Sequence, residues 1–348
     1  MTPLSNQNRN LGIENTMSAG KRIAIAGATG AVGVEMLQCL EERNFPVASL
    51  KLLASARSKG KKMTFRGEEL TVEELTPESF ADVEIALFSA GSGISKEFGP
   101  HAVKAGAVVV DNSSAFRMDA GVPLVVPEIN PEDTKQHNGI IANPNCTTIV
   151  ALMGLYSLHR VWKARSIIAA SYQAVSGTGQ AGIEELSAQN RALVLGEPIV
   201  PKVYSRQIAS NCLPEIGGVI GNGYTSEEMK MQNEGRKILH QPDLKASVTC
   251  VRVPVFRSHS VAVTVDFEEK PSVEEARRLI GAAAGVQILD DREANRFPTP
   301  LDCTGKDDCL VGRIREDLVF PNGLTMWVVG DQVRKGAALN AVQIAELL

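Results

Sequence analysis

Two α/β domains are predicted for this chain: a Rossmann-type doubly wound sheet, then an α+β domain with a mixed, largely antiparallel sheet. Three observations carry that prediction. An apolar run ends at Gly27-Ala-Thr-Gly30-Ala-Val-Gly33 and opens directly into a helical pattern. Short apolar runs then alternate with helix-like segments up to about residue 145, as parallel strands with crossover helices do. Beyond Cys146 the runs lengthen and alternate apolar with polar residues, which suits strands with one covered face.

Taken in order, residues 1–20 (MTPLSNQNRNLGIENTMSAG) are polar and Asn-rich. They lack the Arg-rich amphipathic character of a transit peptide, so a disordered leader is expected, with Met17 as an alternative start. The first domain is expected over 21–145. Its first strand is 21–27 and its first helix 32–40; further strands are expected at 49–55, 83–89 and 107–111, with a helix at 95–105. Residues 61–75 alternate apolar and polar, as an exposed antiparallel hairpin decorating the sheet would. A second domain is expected over 146–330. Antiparallel strands are placed at 165–175, 246–253 and 258–267, and covering helices at 182–195, 226–239 and 272–284. A strand at 325–331 leads to an amphipathic helix within 331–348 that returns to the first domain.

Bulk properties narrow the function classes. The chain has 348 residues, 44% of them apolar, enough for two sizeable cores. A net charge of −4 with acids and bases intermixed gives no basic stripe for nucleic acid and no polybasic anchor for a membrane. A small-molecule partner is favoured. No apolar run approaches the roughly 20 residues of a membrane span, and no secretory signal opens the chain, so a soluble, cytoplasmic protein is expected. The six cysteines form no CxxC pair, which favours reduced thiols and no metal site.

The glycine pattern at 27–33 is a variant of the dinucleotide fingerprint, placed between strand and helix where amides and the helix N-terminus hold a pyrophosphate. At the end of the second strand an NAD enzyme usually carries Asp or Glu for the ribose hydroxyls. This chain has Ser55-Ala-Arg57-Ser58-Lys59 instead. Those residues suit a 2′-phosphate and hence NADP; a solvated basic loop is the alternative. Cys146 stands after Asn143-Pro-Asn at the predicted start of a helix over 147–158, where the helix dipole favours a thiolate. His259, at the junction of two predicted strands, is the candidate acid–base partner, while His101, His137, His159 and His240 are expected at the surface.

Four motifs behind the glycine turn make the pattern specific: Asn143-Pro-Asn-Cys146-Thr-Thr, Ser171-Tyr-Gln173-Ala-Val-Ser-Gly-Thr-Gly179, Glu227-Glu-Met-Lys230 and Arg252-Val-Pro-Val-Phe-Arg-Ser-His259. From about Lys21 to the C-terminus the chain resembles the aspartate-semialdehyde dehydrogenase family. That resemblance implies NADPH-dependent reduction of L-aspartyl 4-phosphate to L-aspartate 4-semialdehyde and phosphate, in the biosynthesis of lysine, threonine, methionine and isoleucine. It implies Cys146 as the acylated nucleophile, His259 as the acid–base residue and Gln173 as a group orienting the intermediate. Arg252 would hold the substrate α-carboxylate and Glu227 its ammonium, with Lys230, Arg117 and Asn112 on the phosphate. Cofactor contacts are expected at Gly27, Thr29, Gly30, Ala31 and Val32 in the first turn and at Ser55, Arg57 and Ser58 after the second strand. Ser89, Ser176, Gly177 and Asn340 complete that set. One departure is Phe88-Ser-Ala-Gly91-Ser-Gly93, where the family commonly has paired glycines after the alanine.

The implied chemistry agrees with these residue types. An acyl phosphate is already activated, so a thiolate can displace phosphate from it. A carboxylate, an ammonium and a phosphate on one substrate require Arg, Glu and Lys in one cleft, and the planar fork of Arg suits the carboxylate. Two rivals stand beside this reading. One is the related reductase of N-acetyl-glutamyl phosphate, whose substrate has no free ammonium; the other is a non-catalytic NADP-binding sensor. The family pairs through its second domain, so a homodimer is expected.

Overall fold

The computed structural model describes residues 20–348, so the expected leader lies outside the described residues except for Gly20. Nine elements build the first sheet: β1 (Lys21–Ala26), α1 (Ala31–Glu42), β2 (Val47–Ala54), β3 (Lys62–Phe65), β4 (Glu68–Glu74), β5 (Ile85–Phe88), α2 (Ser92–Lys104), β6 (Val108–Asp111) and β7 (Ile140–Ala142). The strand order is β3-β4-β2-β1-β5-β6-β7, parallel throughout except for the edge strand β3. β5 is buried at every position because helices and loops cover both faces of a parallel sheet. The hairpin at 61–75 does more than decorate the sheet. β4 pairs in parallel with β2, Leu52 opposite Val72, and so extends it. β7 is too short for periodicity to reveal.

The second domain follows without a linker. α3 (Cys146–Trp162) leads into β8 (Ala164–Gln173), then α4 (Gln180–Leu195), α5 (Glu228–Ile238), β9 (Lys245–Arg252), β10 (His259–Phe267) and α6 (Val273–Gly281). β11 (Val286–Ile288), α7 (Pro300–Cys303), β12 (Cys309–Glu316) and β13 (Gly323–Gly330) complete a sheet of order β11-β12-β13-β10-β8-β9. The three strands expected to be mutually antiparallel are not: β8 runs antiparallel to β10 but parallel to β9. α5, lying between β8 and β9 in the chain, makes this crossover possible.

One face of this sheet is packed and one is open. Ile167 and Ala169 of β8 are buried in the same cluster as Ile149, Leu152 and Leu155 of α3. Each large aliphatic side chain buried there contributes about 1.5–3 kcal/mol. Ile168 and Tyr172 point the other way and are 49% and 41% exposed. The chain ends with a π-helical turn (Arg334–Ala338) and α8 (Leu339–Glu346), whose Leu339, Val342 and Ile344 join the core of the first domain with Ile25 and Leu40. None of the helices among the described residues is long and apolar enough to cross a membrane.

Candidate active site

Strand order reverses between β1 and β5, so the connections after these strands diverge and open a crevice. The turn after β1 admits only glycine at two points. Gly27 has φ of +91°, and a Cβ there would stand 2.4 Å from the carbonyl oxygen of Ser89. A Cβ on Gly33 would stand 2.2 Å from that of Gly27. Gly30 stands at the N-cap of α1 and offers no side-chain cap, leaving the first-turn amides free of side-chain partners and able to hold an anion. Thr29 donates to Ser58 Oγ at 3.3 Å, tying this turn to the loop after β2, where Ser55 and Arg57 are exposed and Ser58 is buried. These are the features a dinucleotide phosphate needs.

A cleft of about 470 Å³ continues from this turn into the second domain. Val32, Ser89, Ser176 and Gly177 line it, and so do Cys146, Gln173, Glu227, Lys230 and Arg252, with Asn112 and Arg117. Sheet register explains part of this convergence. Gln173 at the end of β8 pairs with Arg252 at the end of β9, and antiparallel β10 begins at His259, next to the Ser260–Tyr172 pair. Three residues far apart in sequence thus lie at one end of three neighbouring strands. A separate cavity of about 450 Å³ lies against the C-terminal half of α3, lined by Tyr156, Arg160 and Leu279, and contains no thiol or histidine.

Cys146 is the first residue of α3 and is half-buried. Asn145 caps the helix, its Oδ1 accepting from the amides of Thr147 and Thr148 at 3.1 and 3.2 Å. The thiolate expected at this helix start is not the resting form. Burial and the Glu227 carboxylate push the Cys146 thiol above its ordinary value, against the pull of Lys230, Arg117 and Arg252. The amides that could have favoured the anion already serve the cap.

His259 is fully buried beneath Gly177, where a Cβ would lie 3.3 Å from its Nε2. Nδ1 accepts the Ala174 N–H at 3.1 Å, so the neutral ring carries its proton on Nε2, which has no partner. Burial, then the Arg252 charge, hold this histidine well below its ordinary value and keep it neutral. Arg252 donates Nη1 to the Ala174 carbonyl at 2.7 Å, while its buried Nε is unpaired. The Asn112 side chain likewise has both polar atoms buried and unpaired. Unpaired buried polar groups are rare and costly, so Arg252 and Asn112 in the lining of the cleft, with His259 beneath Gly177 of its wall, mark a receptacle for a polar ligand.

Glu227 and Lys230 face each other at 2.6 Å. Burial pushes the Glu227 carboxyl up, but Lys230 and the Asn145 amide together bring it below its ordinary value. Arg117 is buried and fully anchored, donating to the carbonyls of Asn143 and Asn112, each at 2.9 Å, and to Glu234 at 3.1 Å.

Two expectations need correction. Asn340 is fully buried outside the cleft, donating to Val125 O and Asn143 Oδ1 and accepting from Lys335. Gln332 lines the cleft instead, accepting the Ser258 amide at 2.7 Å and donating to Ser176 Oγ. The polar Asp331-Gln332 pair directly after a buried strand was the available signal. His159, expected at the surface, is buried and accepts the Ala164 amide at 3.2 Å; burial holds it below its ordinary value. Glu234 was also missed, although it lies seven residues after Glu227 on the same face of α5.

Two family models match the chain: the semialdehyde dehydrogenase NAD-binding domain over residues 22–137 and the semialdehyde dehydrogenase dimerisation domain over residues 155–335. The aspartate-semialdehyde dehydrogenase of Synechocystis sp. is 51% identical, covering 94% of this chain and 97% of its own. That of Bacillus subtilis is 49% identical, covering 95% and 98%. The crystal structure of aspartate semialdehyde dehydrogenase II complexed with ASA from Vibrio cholerae superimposes with a TM-score of 0.93 at 46% identity, covering 95% of this chain and 98% of that one. Glycine turn, cysteine cleft and full-length similarity agree across both domains, and the chain belongs to the aspartate-semialdehyde dehydrogenase family.

Proposed function

We propose that the chain reduces L-aspartyl 4-phosphate to L-aspartate 4-semialdehyde and phosphate, with NADPH, through a thioester on Cys146. The observation that carries this reading is the set of unpaired buried groups at Arg252 and Asn112, which line the cleft with a half-buried thiol, and at His259 beneath Gly177 of its wall. Arg252 already spends Nη1 on Ala174, which leaves the Nε–Nη2 edge for the α-carboxylate. Glu227 takes the ammonium. Lys230, the two remaining N–H groups of Arg117 and the Asn112 amide take the phosphate.

The Cys146 sulfur attacks the acyl carbon, the carbon–oxygen bond to phosphate breaks, and the thiol proton leaves with the phosphate. His259 cannot take that proton on Nε2, which is already protonated. Its Nε2–H hydrogen-bonds the acyl oxygen and stabilises the negative charge that develops there; when the aldehyde carbonyl re-forms the Cys146 sulfur leaves as a thiolate and regains its proton from solvent. Gln173 holds the acyl group between them. Bound at the glycine turn, the dinucleotide supplies the hydride for reduction of the thioester. Ser55, Arg57 and Ser58 favour the 2′-phosphate of NADP.

A homodimer through the open face of the second sheet belongs to the same proposal. Tyr172 and Trp327 meet on that face, their rings tilted by 53° with centroids 5.3 Å apart, and Ile168 lies exposed on the same strand as Tyr172. Six free thiols suit the reducing cytoplasm. The test is phosphate-dependent reduction of NADP with L-aspartate 4-semialdehyde, run beside N-acetyl-glutamate semialdehyde. Preference for the acetylated aldehyde, or no turnover with either, would overturn the reading.

A further inference from the structure

We propose that Glu234 is a positioning residue that ties phosphate recognition to the aim of the nucleophile. One carboxylate holds both Arg117 and the Asn145–Cys146 turn. The inference rests on Arg117 as a phosphate ligand, as read above.

Glu234 lies on α5 and is 2% exposed. Its Oε1 accepts from Arg117 Nη1 at 3.1 Å and its Oε2 from the Asn145 amide at 2.6 Å. Both partners are donors, so only the ionised carboxylate serves the two at once. A carboxamide would have to turn its NH₂ toward one of them. With Nε on Asn143 O and Nη2 on Asn112 O, the guanidinium is fixed from three segments of chain, and two of its five N–H groups remain for a ligand.

The second arm runs to the nucleophile. Asn145 receives Glu234 at its backbone amide, caps α3 with its Oδ1 and donates its Nδ2 to Glu227 at 2.9 Å. Glu227 in turn holds Lys230. A continuous path, Arg117–Glu234–Asn145–Glu227–Lys230, therefore joins both phosphate-side cations through the residue that caps the Cys146 helix. Docking α5 onto the Arg117 loop does not require this carboxylate. Lys237 already donates to the carbonyls of Arg117 and Asp119, at 2.7 and 3.1 Å.

The test is Glu234→Gln, measured with semialdehyde, NADP and inorganic phosphate. The phosphate KM should rise roughly 10- to 100-fold, on the scale of a lost hydrogen bond to a charged group. kcat at saturating phosphate should fall as well, with the KM for NADP little changed, and the melting temperature should drop because buried Arg117 loses its counter-charge. In an Arg117→Ala background most of the phosphate penalty of Glu234→Gln should vanish, because Arg117 is the phosphate ligand that Glu234 holds directly. An unchanged phosphate KM, or penalties that multiply in the double variant, would overturn the inference. Phosphate affinity can also be read without turnover, as the phosphate concentration that slows iodoacetamide alkylation of Cys146. An inactive wild type therefore breaks the functional reading alone. Should Glu234→Gln not fold, Glu234→Asp reaches only one partner: phosphate affinity or kcat must fall, and the inference fails if neither does.

Discussion

The two ends of the cleft are built from different materials. At the nucleotide end, backbone does the holding: a glycine turn too tight for a Cβ, helix amides without a side-chain cap, and one exposed arginine beyond them. At the substrate end, charged side chains from three separate segments hold one another in place, as in the Arg117–Glu234 pair, with 9% and 3% side-chain exposure. A backbone site tolerates change in its surroundings but not in its glycines. A side-chain site fails one interaction at a time, and each failure strands a buried partner.

The sharpest break is Cys146→Ala. Turnover should fall by on the order of 10⁴ or more, as when a nucleophile is removed, with NADPH affinity retained. Steady-state rates and a binding titration check both halves of that statement. The resting thiol sharpens the point. Because burial and Glu227 push it above its ordinary value, alkylation of Cys146 should be slow at neutral pH and climb with pH beyond 9.0. Glu227→Gln removes the negative charge that raises this thiol, so the profile should move to lower pH. A rate already at its plateau at pH 7 would show a preformed thiolate.

Gly27→Ala tests the backbone end. A positive φ alone costs about 1–2 kcal/mol for a non-glycine residue, and contact with Ser89 O at 2.4 Å adds to it. The melting temperature should drop and nucleotide affinity with it, whereas Cys146 alkylation in the apoprotein should persist. If nucleotide affinity survives a folded Gly27→Ala enzyme, the turn is a structural bend and not the phosphate cradle.

The same division governs what could be read from sequence. The glycine turn is local, seven consecutive residues between a strand and a helix, so pattern alone placed it. Arg252, Gln173 and His259 meet only through sheet register, and β8 pairing in parallel with β9 cannot be read from alternation, which is the same for both strand directions. Their grouping came from family resemblance. Asn340 shows where that fails: it sits on a buried helical face, and Gln332, two residues beyond β13, lines the cleft. The resting protonation of Cys146 was also hidden, because it depends on burial in the cleft and on a carboxylate 81 positions away in sequence.

Arg252→Lys probes a single interaction at the substrate end. Lysine keeps the charge but loses the Nε–Nη2 edge and the anchor on Ala174. One lost charge-assisted bond is about 1.5–3 kcal/mol, so kcat/KM for the semialdehyde should fall roughly 10- to 150-fold. NADP affinity should not change. Ordinary kinetics in this variant would place the carboxylate elsewhere.

The smallest effect belongs to Arg57, and the comparison itself says why. Its side chain is exposed at the nucleotide end, so solvent screens its attraction for a 2′-phosphate more than the buried partners of Arg252 are screened. The low end of the charge-assisted range, about 1.5 kcal/mol, applies, and Arg57→Ala should weaken NADPH by about tenfold. NADH, without the phosphate, should be nearly unaffected. Arg57→Glu should go further, repelling the phosphate while offering the ribose hydroxyls an acceptor. The measurement is the ratio of catalytic efficiencies with NADP and NAD in wild type and both variants. Buried Ser58, held by Thr29 at 3.3 Å, stays in place in each variant, so a ratio that falls stepwise from wild type through Ala to Glu isolates the guanidinium. A wild type that prefers NAD, or a ratio that neither substitution moves, would mean that the loop after β2 is solvated surface and that nucleotide choice is made by the glycine turn alone.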